Sequence, residues 1–311
     1  MSEKISIVIP CYNESDNIDN TYQLLTNTIK NLVENYDIII VDNGGTDGQL
    51  EIMKTIYEKD KKHVKVISLS RNFGYQISMS AGLEYVESDA VILIDADLQD
   101  PPSMIKDFIE KWKKGYDVVY GIREKREGSI IRNFFYRFFY MILNKTSDIE
   151  IPRNVGEFGL MSKKVVDQLK LMPENIRFIR GMRSWVGYKQ IGIPYSRLER
   201  KKGNSKFRFF DNLTLGMDGI LSFSTRILTF SSMLGLFTIF ISFVIIIYIV
   251  TWKLFSGDLI PGYAAIMVTI SFFSGIIIFM LGIAGAFIER IFLEVKSRPK
   301  FIVKELWGIE N

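Results

Sequence analysis

The residues best placed to do chemistry in this chain lie in the run DADLQD, where Asp95 and Asp97 stand two positions apart and Gln99 and Asp100 follow directly. An apolar run, VILI, precedes them. The acids are therefore expected at the end of a buried strand, where residues i and i+2 project to the same side. Two carboxylates so held repel each other unless a proton or a cation lies between them. Mg2+ or Mn2+ suits such a pair, because these ions take one or two protein carboxylates and complete their shells with phosphate oxygens and water. An ion in that position neutralises a diphosphate leaving group. The alternatives are thin: the chain has one histidine, His63, and one cysteine, Cys11. That leaves little room for histidine catalysis or a multi-histidine metal site, and an intrachain disulfide is impossible. A general base here must be a carboxylate.

Other candidates are scattered along the sequence. Arg71, Arg123 and the basic cluster from Arg197 to Arg208 offer positive charge for phosphate groups, and GNSK at 203–206 is a basic loop containing glycine. The basic cluster also reads as a juxtamembrane patch attracted to anionic lipid. Asp42 ends an apolar run, where a carboxylate accepts hydrogen bonds from a base N–H or from ribose hydroxyls. The alternative reading is a turn or capping aspartate. Glu157 is a lone acid in the apolar stretch NVGEFGLMS. It is either a surface glutamate or the base that orients or deprotonates an acceptor. An acceptor that is a phosphate monoester needs no strong base, since its second pKa is about 6. Gly44, Gly45 and Gly48 read as turn residues, and neither a GxGxxG nor a P-loop pattern is present.

These residues need elements to hold them. Continuous apolar runs at 4–9, 37–42, 64–69, 90–95 and 117–121 predict parallel strands buried on both faces. Helical segments are predicted near 16–34, 47–59, 75–87 and 103–114, with Asp47 and Ser103 as N-caps. This alternation predicts a doubly wound α/β sheet, whose ligands bind beyond the carboxyl ends of the strands. The five predicted strand ends carry PCYNE, VDNGGTDG, SRNFG, DADLQD and GIR, all polar, charged or glycine-rich.

The second half of the chain has a different character. In 129–145, Ser129, Asn133, Arg137, Tyr140 and Asn144 form one polar stripe on an otherwise apolar helix. Its aromatic and basic content predicts an interfacial helix at the headgroup level, against the alternative of a core helix. Two uncharged spans, about 228–250 and 262–288, are long enough to cross a hydrocarbon layer of roughly 30 Å and predict a transmembrane hairpin. Basic residues crowd the outer flanks of the pair, while the link carries only Lys253. The positive-inside rule then puts both termini in the cytoplasm. The expected organisation is a cytoplasmic domain over 1–225, a hairpin over 226–290 and a cytoplasmic tail over 291–311. The MSEKISIVIP start predicts no cleavable leader. The whole chain is 48% apolar yet 24% charged, which fits a polar part joined to a membrane part. A net charge of +4 argues against nucleic acid as a partner. A metal-ready acidic loop tethered to a bilayer points to chemistry between a soluble phosphorylated donor and a lipid acceptor.

In IVIPCYNE, VDNGGTDG, SRNFGYQ, DADLQDPP, YGIR, RGMRSWVGYKQ, GNSKF and EVKSRPKFIVKE, the chain resembles the polyprenyl-phosphate glycosyltransferases of glycosyltransferase family 2. The resemblance runs from about 4 to 306, and the two-helix C-terminus is closer to the bacterial undecaprenyl-phosphate glucosyltransferases than to dolichyl-phosphate mannose synthases without such a hairpin. It implies a GT-A fold and inverting transfer of one sugar from a nucleotide sugar to a polyprenyl phosphate. UDP-glucose is the favoured donor, with UDP-GlcNAc and GDP-mannose as alternatives. The resemblance places Asp95, Asp97 and Gln99 at the metal and diphosphate. It places Pro10, Tyr12, Glu14 and Asp42, with Arg71, around the nucleotide, and Arg123, Arg200, Ser205 and Lys206 near phosphate groups. Glu157 falls where an aspartate is common, in GEFGL rather than GDFRL. Asn43, Gly45 and Tyr75 are further departures. A homo-oligomer, with the tetramer as the suggested form, and the inner or plasma membrane also follow from the resemblance. Two rival readings are a processive polysaccharide synthase and a non-catalytic nucleotide-sugar or lipid-binding subunit. RSWVG at 183–187 lacks the QxxRW pattern of the first.

Overall fold

The computed structural model describes residues 3–124, 152, 154–197, 226–256 and 262–309. The predicted interfacial helix at 129–145 and the loop residues Arg200, Ser205 and Lys206 lie outside the described residues. Contacts divide the chain into two units. One holds the sheet and takes in the segment from Pro299 onward; the other holds the two long helices up to Arg298.

The first unit is built on an eight-stranded sheet. In chain order its elements are β1 (Lys4–Cys11), α1 (Ile18–Ile29), β2 (Asn35–Asp42), α2 (Gln49–Lys59), β3 (Val64–Leu69), α3 (Tyr75–Glu84), β4 (Ala90–Leu93), α4 (Met104–Lys113), β5 (Val118–Arg123), β6 (Val155–Ser162), α5 (Lys163–Leu171), α6 (Ile179–Trp185), β7 (Gln190–Tyr195) and, after the second unit, β8 (Val303–Trp307). The spatial order is β7-β5-β6-β4-β1-β2-β3-β8. The β1–β2, β2–β3, β1–β4 and β5–β7 pairs are parallel. The β4–β6, β5–β6 and β3–β8 pairs are antiparallel. The chain thus has the mixed, Rossmann-like α/β sheet of a GT-A domain. Ile5, Ile7, Ile9, Ile38 and Ile40 on the central strands pack with Leu25, Met53 and Phe108 of the covering helices, all buried. Two-sided burial is why these strands read as continuous apolar runs.

Two local expectations need correction, and a third, the Ser103 cap, holds in position only. The α2 N-cap is Gly48, in the left-handed region at φ +86°, rather than Asp47. Asp47 still accepts from Gln49 N (3.1 Å), but its other oxygen is drawn away to Ser15 N (2.9 Å). Ser103 holds the α4 cap position without a side-chain bond, because Pro101 and Pro102 carbonyls accept from Met104 N and Ile105 N. β4 stops at Leu93, so Asp95 and Asp97 do not sit on a strand. They lie in a turn beyond the strand, and the residue that follows them, Leu98, has φ +56°. A buried leucine in that region is an uncommon conformation.

The segment 291–311, expected as a tail, supplies β8, which pairs with β3. Ser70 N donates to Ile302 O (2.9 Å), and Lys300 Nζ donates to Met172 O (2.7 Å). The strand covers the edge that β3 would otherwise leave open to another chain.

The second unit consists of α7 (Arg226–Ser256) and α8 (Tyr263–Val295). Within them, Met233–Trp252 and Phe272–Val295 have mean hydropathies of 2.8 and 2.2, and neither window is buried by protein. Such helices could form a transmembrane hairpin. They touch closely at Gly235, where an added Cβ would lie 3.1 Å from Cε of Met280. Gly282 and Gly285 face open space.

Candidate active site

The topology gathers every described candidate residue at one edge of the sheet. β1, β2, β3, β4, β5 and β7 all end there, and antiparallel β6 begins there. The five strand ends singled out from the sequence therefore lie along one edge, joined by Glu157 near the start of β6 and Tyr195 at the end of β7.

Each acid in the DADLQD turn divides its oxygens. Tyr75 Oη donates to Asp95 Oδ1 at 2.5 Å, and Gln99 N donates to Asp97 Oδ1 at 3.1 Å. The remaining oxygens, Asp95 Oδ2 and Asp97 Oδ2, both lie 3.8 Å from Nη2 of Arg197. Arg197 Nε is 3.4 Å from Asp100 Oδ1. Thr21 Oγ1 fixes the turn from below by donating to Ala96 O (2.8 Å). Burial, then the neighbouring Asp100 and Asp97 charges, push the Asp95 carboxyl up to about 7. The two remaining oxygens thus face one guanidinium nitrogen.

Asp100 is the acid the sequence reading passed over. It is 1% exposed, and its Oδ1 accepts from Tyr195 Oη at 2.5 Å. That hydroxyl in turn accepts from Arg123 Nε at 3.2 Å, and Arg123 Nη2 lies 4.0 Å from Asp100 Oδ1. Burial, followed by the Asp100 charge, raises the Tyr195 hydroxyl far above its ordinary range. Gly156 leaves room for the guanidinium, since a Cβ there would stand 2.7 Å from Arg123 Nη2. Arg123 is thereby fixed from three sides. The only hint in the sequence was the third acid in DADLQD.

Glu157 is 4% exposed and is not a surface glutamate. Its Oε1 accepts from Gln76 Nε2 (3.0 Å) and Arg180 Nε (2.9 Å). Oε2 has no hydrogen-bond partner among the described residues. Burial alone would raise its pKa, but Arg180 and then Arg183 outweigh that, and the net direction is down. Arg183 is itself 2% exposed and lies 5.0 Å over the Tyr120 ring; burial lowers its pKa to about 10 despite the Glu157 charge. The two arginines of RGMRSW are therefore site residues that were quoted as a motif but given no role.

The nucleotide-side candidates divide. Tyr12 is exposed at the end of β1, while Pro10 is buried within the strand opposite Val41. Glu14 Oε2 accepts from Asn17 Nδ2 (2.7 Å). Arg71 is exposed and stacks on Phe73, its Cζ 4.0 Å from the ring centroid. Asp42 is engaged by the protein itself, as its reading as a turn aspartate allows. It is 2% exposed, and its oxygens accept from Gly45 N (2.9 Å), Gln49 Nε2 (2.5 Å) and Ser68 Oγ (2.8 Å). In this structure its carboxylate organises the VDNGG loop. Gly44 in that loop must be glycine, because φ is +67° and a Cβ would lie 2.4 Å from the Arg71 carbonyl carbon.

A cavity of about 1010 Å3 lies at the opposite edge, among Lys4, Asp37, His63, Asp117 and Lys164. It contains none of the acids of the DADLQD turn. His63, the one histidine, stacks on Tyr36 there and bonds Asp60, well away from the crevice.

A Rossmann-like sheet with paired aspartates beyond a central strand, framed by fixed arginines, defines a sugar-transferring enzyme of the GT-A class. The chain belongs to glycosyl transferase family 2, whose family model matches residues 6–170. The uncharacterized glycosyltransferase YkcC of Bacillus subtilis is 42% identical over 98% of this chain and 95% of its own length. The SfII prophage-derived bactoprenol glucosyl transferase of Shigella flexneri is 38% identical over 97% of this chain and 98% of its own. Among solved structures, a mannosyltransferase of Pyrobaculum calidifontis in complex with GDP-Man and Mn2+ aligns at 14% identity and a TM-score of 0.47, covering 66% of this chain and 59% of that one. This chain is a glycosyltransferase.

Proposed function

We propose that the protein transfers one sugar, with inversion, from a nucleotide sugar to a polyprenyl phosphate at the cytoplasmic face of the membrane. UDP-glucose is the favoured donor and undecaprenyl phosphate the favoured acceptor. The observation that carries the reading is the convergence of Asp95 Oδ2 and Asp97 Oδ2 on one cation-attracting point. Similarity over nearly the full chain to bactoprenol glucosyl transferases supports the acceptor. Two unburied apolar helices and their basic flanks support a membrane position with both termini inside.

The residues present fit a divalent cation. Two carboxylate oxygens face one point, and hard oxygen donors suit Mg2+ or Mn2+. Among the described residues no three acidic, histidine or cysteine side chains form a fuller metal cluster. Asp95 and Asp97 would hold the ion, with diphosphate oxygens and water completing its shell. Gln99 enters through its backbone N–H, which fixes Asp97. When bound, the ion supplies charge neutralisation to the departing diphosphate.

The chain's own residues do the positioning. Arg123, held by Tyr195 and Asp100, presents a fixed guanidinium at the crevice, and Arg197 presents a second. Both forks suit phosphate oxygens. An oxygen of the lipid phosphate forms a bond to the anomeric carbon as the bond to the diphosphate breaks. The nucleoside diphosphate leaves with the bonding electrons. Glu157, kept ionised by Arg180 and Arg183, orients these arginines and the acceptor side of the crevice. A dianionic phosphate has no proton that Glu157 would need to remove. Arg200, Ser205 and Lys206 remain proposed phosphate contacts. Catalysis then rests on placement and charge complementarity. A homo-oligomer completes the proposal.

The test is to incubate detergent-purified full-length protein with UDP-glucose, UDP-GlcNAc or GDP-mannose and undecaprenyl phosphate, then weigh the lipid product. A single hexose added to the lipid phosphate is expected. A polymer, or no product from any donor, would overturn the assignment.

A further inference from the structure

The two guanidiniums at the crevice are held very differently. Arg123 makes a hydrogen bond to Tyr195 Oη at 3.2 Å and is packed against Gly156. Arg197 touches three carboxylates, yet its contacts to Asp95 and Asp97 are 3.8 Å and that to Asp100 is 3.4 Å. Distances of 3.8 Å are too long for hydrogen bonds, so these contacts are charge attraction without directional bonding. Its side chain retains 28% of its exposure. The oxygens that Arg197 faces on Asp95 and Asp97 carry no other bond among the described residues, because Tyr75 Oη and Gln99 N occupy Oδ1 of Asp95 and Asp97 respectively. Arg197 therefore sits against the same two atoms that a divalent cation would ligate.

We propose that Arg197 is the resident counter-ion of the Asp95–Asp97–Asp100 cluster and that it competes with the divalent cation for these acids until a nucleoside diphosphate gives it a new partner. The inference rests on the reading of Asp95 and Asp97 as a cation site. An ion arriving alone meets a guanidinium already against its ligands, and two cations crowded there repel. A diphosphate arriving with the ion offers Arg197 oxygens that match its fork better than contacts at 3.8 Å do. Arg197 then turns from competitor into diphosphate ligand. Cation and nucleotide each bind weakly alone and tightly together, and by linkage the enhancement is reciprocal. The benefit is functional: the acids stay neutralised between turnovers, and the ion is retained only with donor in place.

The experiment measures Mn2+ binding to the full-length detergent-solubilised protein by electron paramagnetic resonance, with and without UDP or GDP. In the wild type, Mn2+ alone should bind weakly and nucleotide should tighten it. In Arg197→Gln, Mn2+ alone should bind more tightly, on the order of ten-fold, and the nucleotide enhancement should shrink by a similar factor. Arg197→Lys keeps the charge but loses the fork, so Mn2+ alone should stay weak while the enhancement falls. If Arg197→Gln binds Mn2+ alone no better than the wild type, or keeps the full enhancement, the proposal is wrong while the cation site stands. If Arg197→Lys binds Mn2+ alone as tightly as Arg197→Gln, charge competition is likewise refuted. If no variant binds Mn2+ with or without nucleotide, the cation site itself is refuted, and this proposal with it.

Discussion

Arg180 Nε lies 2.9 Å from Oε1 of Glu157, and that contact decides what kind of acid Glu157 is. A catalytic base benefits from a pKa near the working pH. Glu157 is moved the other way, because Arg180 and Arg183 outweigh the burial that would raise it. Its lowered pKa favours the carboxylate form, which accepts from Arg180 and faces the charge of Arg183.

This gives a pH prediction. A group with a depressed folded pKa contributes stability that is fully present above its unfolded pKa, about 4.3 for Glu, and is lost as pH falls toward the folded value. The stability gap between wild type and Glu157→Gln should therefore be flat above about pH 5 and narrow below about pH 4. Near neutrality the gap should be about 3 kcal/mol, as for a broken buried pair. Thermal denaturation across pH measures it. The activity profile of the wild type should show no limb from Glu157 near neutral pH; a limb there that vanishes in Glu157→Gln would restore the base role.

Asp97→Asn removes one of the two oxygens that define the cation point, along with its charge. Transfer should fall by at least about 100-fold, the scale seen when one charge-stabilising group is lost from a site. Membrane extraction and melting temperature should stay close to wild type, because Asp97 lies in a partly open turn. Wild-type turnover in the purified variant would end its assignment to the site.

Tyr75→Phe deletes the hydroxyl that holds Asp95 Oδ1 at 2.5 Å and leaves the ring in place. Hydrogen bonds to charged groups contribute about 1.5–3 kcal/mol, so Mn2+ binding in the presence of nucleotide should weaken by roughly 10- to 100-fold. Isothermal titration with the variant reads this directly. KM for the metal should rise more than kcat falls, since the hydroxyl positions the acid and does not touch the reacting atoms.

Gly44→Ala tests the VDNGG loop. The alanine would need φ near +67° and would bring its Cβ to 2.4 Å from the Arg71 carbonyl carbon. A cost of at least about 1–3 kcal/mol is expected for the backbone conformation alone. Because the clash displaces the loop that carries Arg71, nucleotide affinity should drop together with melting temperature. A variant that melts normally and binds UDP normally would show that the loop has other room.

Some of this was legible residue by residue. The runs KISIVI, DIIIVD and VKVISL predict buried parallel strands because both faces are covered, so nothing polar interrupts them. Their polar ends then had to meet at one edge, since parallel strands point the same way. β6 was not legible as a strand. GEFGLM carries an acid and two glycines, and only the lattice of neighbours explains them: Gly156 yields space to Arg123, and Gly159 sits where a Cβ would lie 2.5 Å from Val119 O. β8 was hidden for a different reason. Its partner β3 is more than two hundred residues away in the chain, and no local pattern records such a pairing.

The sequence by itself determined the α/β class, the acidic pair, the two apolar helices and the family, because each is written in short-range pattern or residue type. The tertiary structure decided which groups face one another. It turned Asp42 inward to organise its loop, set Arg197 against the aspartates, bound Asp100 to Tyr195 and made Glu157 the partner of Arg180. Charge and hydrogen-bond direction act over a few ångströms in space, whereas Tyr195 and Asp100, bonded here, stand 95 positions apart in the chain.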